Sequence, residues 1–357
     1  MQPTTTAEEG PPPQAVVMQI LLGAWASKVV SDVARLNIPD VLKQQGPLSA
    51  AELVSRHGIG ARPDSLERAL RACASFGIFV EHADGSFAPT EFSDVLTSDS
   101  PVSVKKLADL CGSNWYWKAW SGFSDALATG EPQIGNQLGI REGTIFDFLN
   151  ANPVIMADFG EAMKSNSLNS MRGVLKHCDF TASKKVVDVG GGFGHLVVAL
   201  LGKYPSLRGV LVDLPNLILI AQQSLPVTDR QVASRLEYFG GNMFEAVPAA
   251  DVYVMKHILH DWDDERCVRL LRNCHQSMEG GGRLICVDSV LPPMGDTTGT
   301  AAKLLDLNMM VMLPGKERTR VQWEELYQKA GFTITNITPL ADNFGTSIVE
   351  GAQTRLP

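Results

Sequence analysis

Apolar residues recur at helical spacing through "VVMQILLGAWASKVVSDVARL", and "NIPDVL" then breaks the run and restarts it, so residues 15–45 are predicted to form helices. In "LSAAELVSRHG", Ser49 stands three residues before Glu52, a capping-box start, and Gly58 supplies the stop. "RPDSLERALRACASFGIF" puts Leu66, Leu70 and Cys73 on one helical face, and "FVEHADGSFAPT" reads as a hairpin turning at Asp84–Gly85. Helix, helix, hairpin is the order of a winged helix.

The pattern changes near residue 184. "KKVVDV" is a short β-branched strand, "GGGFG" a glycine cluster, "HLVVALLGKYP" an amphipathic helix ended by Pro205, and "LRGVLVD" a strand finishing on Asp213. Strand patterns return at 236–241, 250–256 and 282–290, and "GFTITNITPL" and "TSIVEGAQ" lie close enough to pair antiparallel. Alternating strands and helices predict an α/β fold with a Rossmann-like, mainly parallel sheet and a terminal antiparallel hairpin. The division expected is a disordered tail over 1–14, a winged-helix-like module over 15–105, connecting helices over 106–180 and a catalytic domain over 181–357.

Composition narrows the partners. The 357 residues are 45% hydrophobic and 20% charged, ample for two globular domains. A formal net charge of −8 argues against nucleic acid. Within residues 47–96 four arginines (Arg56, Arg62, Arg68, Arg71) face seven acids, so the winged module is expected to pack or dimerise rather than bind DNA. Ile20, Leu21, Leu22, Trp25, Val29 and Val30 would then form an interface between two copies. No stretch approaches the roughly 20 unbroken apolar residues of a membrane span, and "MQPTTTAEEGPPP" lacks the features of a secretory signal. Six cysteines without a C-x-x-C read as free thiols in a reducing cytosol, so a cytoplasmic protein is expected.

The chemistry gathers at the strand ends. A glycine turn before a helix lets a ligand approach backbone amides, and Asp213 lies 23 residues beyond Gly190, where such folds set a carboxylate on ribose hydroxyls. The spacing Gly190-x-Gly192-x-Gly194 puts His195 where the third dinucleotide glycine would fall, which disfavours a nicotinamide oxidoreductase. In "HILHDWDDE", residues 257–265, Asp263, Asp264 and Glu265 suit a helix N-terminus, with Cys267, Leu271, Cys274 and Met278 as the buried stripe. A metal held by His257, His260 and an acid is disfavoured, because H-x-x-H lacks the i, i+4 spacing of helical zinc pairs and no Cys or His cluster completes it. His195, His257 and His275 read as structural. His260 sits just outside a strand's carboxyl end, where an imidazole of ordinary pKa about 6.5 suits proton removal from a hydroxyl.

In order along the chain, "VVDVGGGFG", "LVDLPNLI", "GGNMF", "VMKHILHDWDDERC" and "PGKERT" resemble the plant caffeate- and flavonoid-type O-methyltransferases. Bacterial small-molecule and acetylserotonin methyltransferases share this class I pattern. The resemblance implies S-adenosylmethionine as cofactor, leaving as S-adenosylhomocysteine, on Gly190, Asp213, Leu214, Asn242, Met243 and Lys256. It makes His260 the catalytic base, flanked by Asp288 and Glu317, and leaves Asp261 either touching substrate or capping its helix. Asn242 stands where the plant enzymes usually have an acid, and its amide oxygen can still accept from an adenine amino group. Asp288 stands where they usually have Glu; one methylene shorter, it implies a shifted ring or a bridging water.

Trp115, Phe159, Met163, Asn166, Met309 and Met310 are the candidate walls for a small planar phenol, catechol or quinone-like substrate, with core packing the alternative for each methionine. The resemblance also implies a homodimer. The readings left open are N- or C-methyl transfer, a relative without methyl transfer, and a ligand-sensing regulator.

Overall fold

The computed structural model describes residues 11–140, 145–224, 229–340 and 345–354, except for the side chains of 150, 164–169 and 224. The chain divides into two compact units, Met1–Trp117 with Leu149–Asn166, and Lys118–Phe148 with Ser167–Pro357.

The first unit opens with α1 (Pro13–Arg35) and α2 (Ile38–Gln45). Proline suits the first helical position, so α1 begins inside the stretch expected to be tail. Two-residue β1 (Leu48–Ser49) precedes α3 (Ala50–His57), whose capping box joins Ser49 and Glu52 as expected and which ends on left-handed Gly58. Then come α4 (Pro63–Ser75), β2 (Phe79–Glu81) and β3 (Ser86–Pro89). Both β1 and β2 pair with β3, completing the winged-helix sheet; β1 is too short to show an alternating pattern in the sequence.

Leu66, Leu70 and Cys73 of α4 are buried with Leu42, Leu53, Phe79 and Phe87. On α1, by contrast, Ile20, Leu21 and Trp25 are 72%, 64% and 73% exposed. This helix, of mean hydropathy 1.4, is long and apolar enough to cross a membrane by length and composition alone. Polar residues interrupt its apolar run without greatly lowering its average, so no unbroken run marks it in the sequence.

Helices α5 (Glu91–Asp94), α6 (Lys105–Cys111), α7 (Asn114–Ser121), α8 (Phe123–Thr129), α9 (Ile134–Leu138), α10 (Ile145–Ala151) and α11 (Pro153–His177) connect to the second unit. There β4 (Lys185–Val189), α12 (His195–Lys203), β5 (Arg208–Asp213), α13 (Pro215–Ser224), α14 (Arg230–Ala233), β6 (Leu236–Gly240) and β7 (Ala250–Lys256) follow in turn. The chain continues through a 3-10 turn (Leu259–Asp261), α15 (Asp264–Ser277), β8 (Met278–Leu291), α16 (Thr300–Met312), β9 (Arg318–Thr319), α17 (Arg320–Lys329), β10 (Phe332–Pro339) and β11 (Thr346–Gln353).

The sheet order is β10-β11-β8-β7-β4-β5-β6, with β4 to β8 parallel and the β10–β11 hairpin antiparallel. Each inner strand is apolar on both faces. Val187, Val210, Val212, Tyr253, Met255, Leu284 and Cys286 meet α15 and α17 on one side. Val186, Leu211, Val252, Val254, Ile285 and Val287 meet α11, α12 and α13 on the other. Strand order reverses at β4, between β5 and β7, and a ligand crevice opens at the carboxyl ends there. The glycine turn, Asp213 and the histidine loop all leave the sheet at that edge.

Candidate active site

The glycine turn follows directly from β4. Gly190 and Gly191 donate to Val212 O at 2.8 and 3.3 Å, which folds the turn over β5. Gly190 has φ +65°, and a Cβ there would lie 2.4 Å from Ile258 Cδ1, so only glycine fits. Gly192, at φ +58°, would aim a Cβ into open space, leaving room for a ligand against the backbone. At the end of β5, Asp213 accepts Gly192 N–H through Oδ2 at 2.8 Å and Leu214 N–H through Oδ1 at 2.7 Å. Each oxygen keeps a lone pair for a ribose hydroxyl. Burial raises the Asp213 pKa, and the two backbone donors oppose that rise.

Beside it Leu214 is 43% exposed, an apolar surface suited to a nucleoside. Asn242 accepts Phe244 N–H at 3.0 Å and donates to Glu245 at 3.0 Å, so one lone pair of its amide oxygen is already used by its own turn. Met243, half-buried, packs against the core beneath. Lys256 closes β7, its pKa lowered by burial against the opposing pull of Asp188 and Asp288. A turn open at Gly192, a carboxylate with spare lone pairs and an apolar shelf fit the sugar and base of S-adenosylmethionine.

Beyond β7 the chain turns sharply. His257 adopts φ +56° while its N–H donates to Val287 O at 3.0 Å. The 3-10 turn carries His260, and α15 is capped by Asp263, whose carboxylate accepts Arg266 N–H at 2.8 Å. The helix cap therefore falls to Asp263, not Asp261. Asp261 is instead turned to His260, its Oδ1 3.4 Å from Nε2. On the other side of the ring, Nδ1 lies 2.8 Å from Glu317 Oε1. Asp288 is fully buried but stops 4.0 Å from Nδ1, and neither of its oxygens has a hydrogen-bond partner. The short side chain thus stops beyond hydrogen-bond reach of the ring.

Charge in this cluster is strongly coupled. Burial alone would lower the His260 pKa, but Glu317, Asp261 and Asp288 together raise it. Burial also raises Asp288 and Asp261, with His260 opposing in both. His257 is pushed the other way, well below the ordinary imidazole range, by burial and then by Lys256 and His260.

Several residues that hold this loop were not read from the sequence. Arg318, 1% exposed, donates to Leu259 O at 2.8 Å and Trp262 O at 2.9 Å, bracketing His260, and to Asp264 Oδ1 at 2.8 Å. Asp306 accepts Glu317 N–H at 2.8 Å. A Cβ on Gly315 would meet His260 O at 1.9 Å, so the loop before β9 lies directly against the His260 backbone. Asp188, buried at the end of β4, accepts Val197 N–H at 3.3 Å and ties α12 to the sheet. The only sequence signal for Arg318 was its place beside Glu317 in "GKERT".

Of the candidate walls, Met309 is buried at 7% exposure and Met310 half-buried on α16. The preceding Asn308 accepts from Trp120 Nε1 at 3.1 Å, and Trp120 stacks on Phe123. Trp115, Phe159 and Met163 belong to the first unit, and the Asn166 side chain lies outside the described residues. All six cysteines are free thiols.

A glycine turn and a strand-end carboxylate at the switch point of this sheet, with a terminal antiparallel hairpin, define a class I methyltransferase. Residues 120–333 match the O-methyltransferase domain and residues 18–99, including most of α1, match the O-methyltransferase dimerisation domain. Phenazine O-methyltransferase of Lysobacter antibioticus is 33% identical over 340 residues, covering 95% of this chain and 96% of that one. The 8-amino-8-demethylriboflavin N,N-dimethyltransferase of Streptomyces davaonensis is 33% identical, covering 88% of each. A neocarzinostatin-pathway O-methyltransferase, solved with S-adenosylmethionine and 2-hydroxy-5-methylnaphthoic acid, matches with TM-score 0.77 at 29% identity, covering 93% of this chain and 96% of that one. The chain belongs to the S-adenosylmethionine-dependent O-methyltransferase family, with its own dimerisation domain.

Proposed function

We propose that the enzyme methylates a hydroxyl of a small planar aromatic metabolite, with His260 as general base. The observation that carries this reading is the His260–Glu317 contact of 2.8 Å at the carboxyl end of β7. With Glu317 accepting from Nδ1–H, the ring that has lost one proton carries its lone pair on Nε2, the tautomer a base needs. Nε2 takes the proton as the acceptor oxygen attacks, and Glu317, Asp288 and Asp261 balance the positive ring that results. When bound, S-adenosylmethionine supplies an electrophilic methyl group on a positively charged sulfur.

Gly190, Asp213, Leu214, Asn242, Met243 and Lys256 would hold the cofactor, and the α16 methionines would contribute to the wall around the ring. Phenazine and naphthoic acid, in the names of the relatives, are fused planar aromatics of this kind. The exposed apolar face of α1 supports a homodimer.

Methyl transfer from labelled S-adenosylmethionine to a panel of phenols, catechols and hydroxyquinones tests the assignment. His260→Ala is expected to lose on the order of 10²–10⁴-fold in kcat while still binding cofactor. Equal transfer by both proteins would refute it. N-methylation is the second reading, favoured by the riboflavin-type relative. Aminophenols in the same panel separate the two by the atom that carries the label.

A further inference from the structure

The spacing of His257 and His260 argues against a metal, but folding brings a third ligand that spacing does not show. One ligand atom from each of His257, His260 and Asp288 lies within 4.8 Å of the others. His257 Nδ1 and His260 Nδ1 are 3.8 and 4.0 Å from Asp288 Oδ1. Glu317 Oε1 lies 2.8 Å from His260 Nδ1, where a metal on that nitrogen would take the place of the proton Glu317 accepts. Ligands about 2.0–2.2 Å from a tetrahedral Zn²⁺ stand roughly 3.3 Å apart, so the two His–Asp288 pairs close by about 0.5–0.7 Å and no pair by more than about 1.5 Å.

The acids also lack what buried acids usually have. Asp288 is 0% exposed with neither oxygen hydrogen-bonded, and Glu317 Oε2 is equally without a partner. Ser170 Oγ stands 3.4 Å from His257 Nε2, so Nδ1 is the nitrogen turned to Asp288.

We propose that His257, His260 and Asp288 form a site for Zn²⁺ or a similar borderline divalent cation, and that filling it switches the enzyme off. The switch follows from the tautomer. Glu317 holds the proton of His260 on Nδ1, leaving Nε2 to accept. A metal on Nδ1 displaces that proton and leaves neutral imidazole with its hydrogen on Nε2, which then donates and cannot act as a base. The inhibitory half rests on His260 being the base; the binding half does not.

Metal-free full-length enzyme is titrated with Co²⁺, followed by visible absorption, and with Zn²⁺, followed by methyl transfer. His257→Asn is the comparison, since Asn accepts the left-handed backbone at this position. Wild type is expected to give a tetrahedral Co²⁺ spectrum without a thiolate band, displaced by Zn²⁺, and a Zn²⁺ inhibition reversed by chelator. His257→Asn should keep its metal-free activity and need on the order of 10-fold more of either ion. Equal affinity in the two proteins, or no Co²⁺ spectrum in wild type, overturns the site. Binding through His257 that leaves methyl transfer untouched upholds the site and overturns His260 as base.

Discussion

Replacing Glu317 by Gln removes a charge while preserving the shape of the contact. Gln Oε1 still accepts from His260 Nδ1, so the ring keeps its tautomer and its Nε2 lone pair. What changes is the field that holds the proton. In the free enzyme His260 is raised to about 10, with burial opposing the rise and Glu317 the largest of the acids that produce it. The two nitrogen and oxygen atoms are 2.8 Å apart. Charge centres about 4 Å apart at an effective dielectric near 20 interact by about 4 kcal/mol. At 1.36 kcal/mol per pH unit, that is roughly 3 units.

A base works only when unprotonated, so activity is lost as pH falls through this pKa. In Glu317→Gln the losing limb should therefore move to lower pH, by roughly 2–3 units, toward the ordinary imidazole value. The assay is kcat/KM for the acceptor against pH in both proteins, paired with NMR titration of the His260 ring without substrate. A ring that titrates at the same pH in both proteins would refute the electrostatic argument. A limb that stays put while the ring moves would show that His260 does not set the rate.

Gly190→Ala forces a left-handed alanine into the side chain of Ile258. The backbone strain alone is about 1–2 kcal/mol. Calorimetry should find S-adenosylmethionine binding weakened by about tenfold or more, and unchanged affinity would show that the turn does not meet the cofactor. Arg318→Met leaves Leu259 O and Trp262 O without their guanidinium donors. Denaturant unfolding should show a loss of about 2–4 kcal/mol together with a lower kcat; less than 1 kcal/mol would mean that the loop holds itself. Trp25→Glu sets a charge on the exposed apolar face of α1. Light scattering should give the mass of a monomer, and a persistent dimer would place the interface elsewhere.

Much of this architecture is local, and local patterns were readable. Ser49 and Glu52 specify a helix start within four residues, and the short, nearly continuous apolar runs of β4, β5 and β7 suit strands buried on both faces. The glycine turn and Asp213 were legible because the turn demands positive φ and the strand must end where the sheet does. The ordered motifs, spread over most of the chain, pointed to the cofactor and to His260.

Distances between segments far apart in the chain were not readable. Nothing local says that Glu317 reaches His260 while Asp288 stops 4.0 Å short, or that Asp263 rather than Asp261 caps α15. Arg318 looks like any surface arginine until folding seals it under the 259–262 carbonyls. The sequence by itself determined which elements form and which residue types lie at the sheet's carboxyl edge, because those follow from periodicity and backbone conformation. Only the tertiary structure decided which side chains meet, because contact depends on the packing of elements more than 50 residues apart, as His260 is from Glu317.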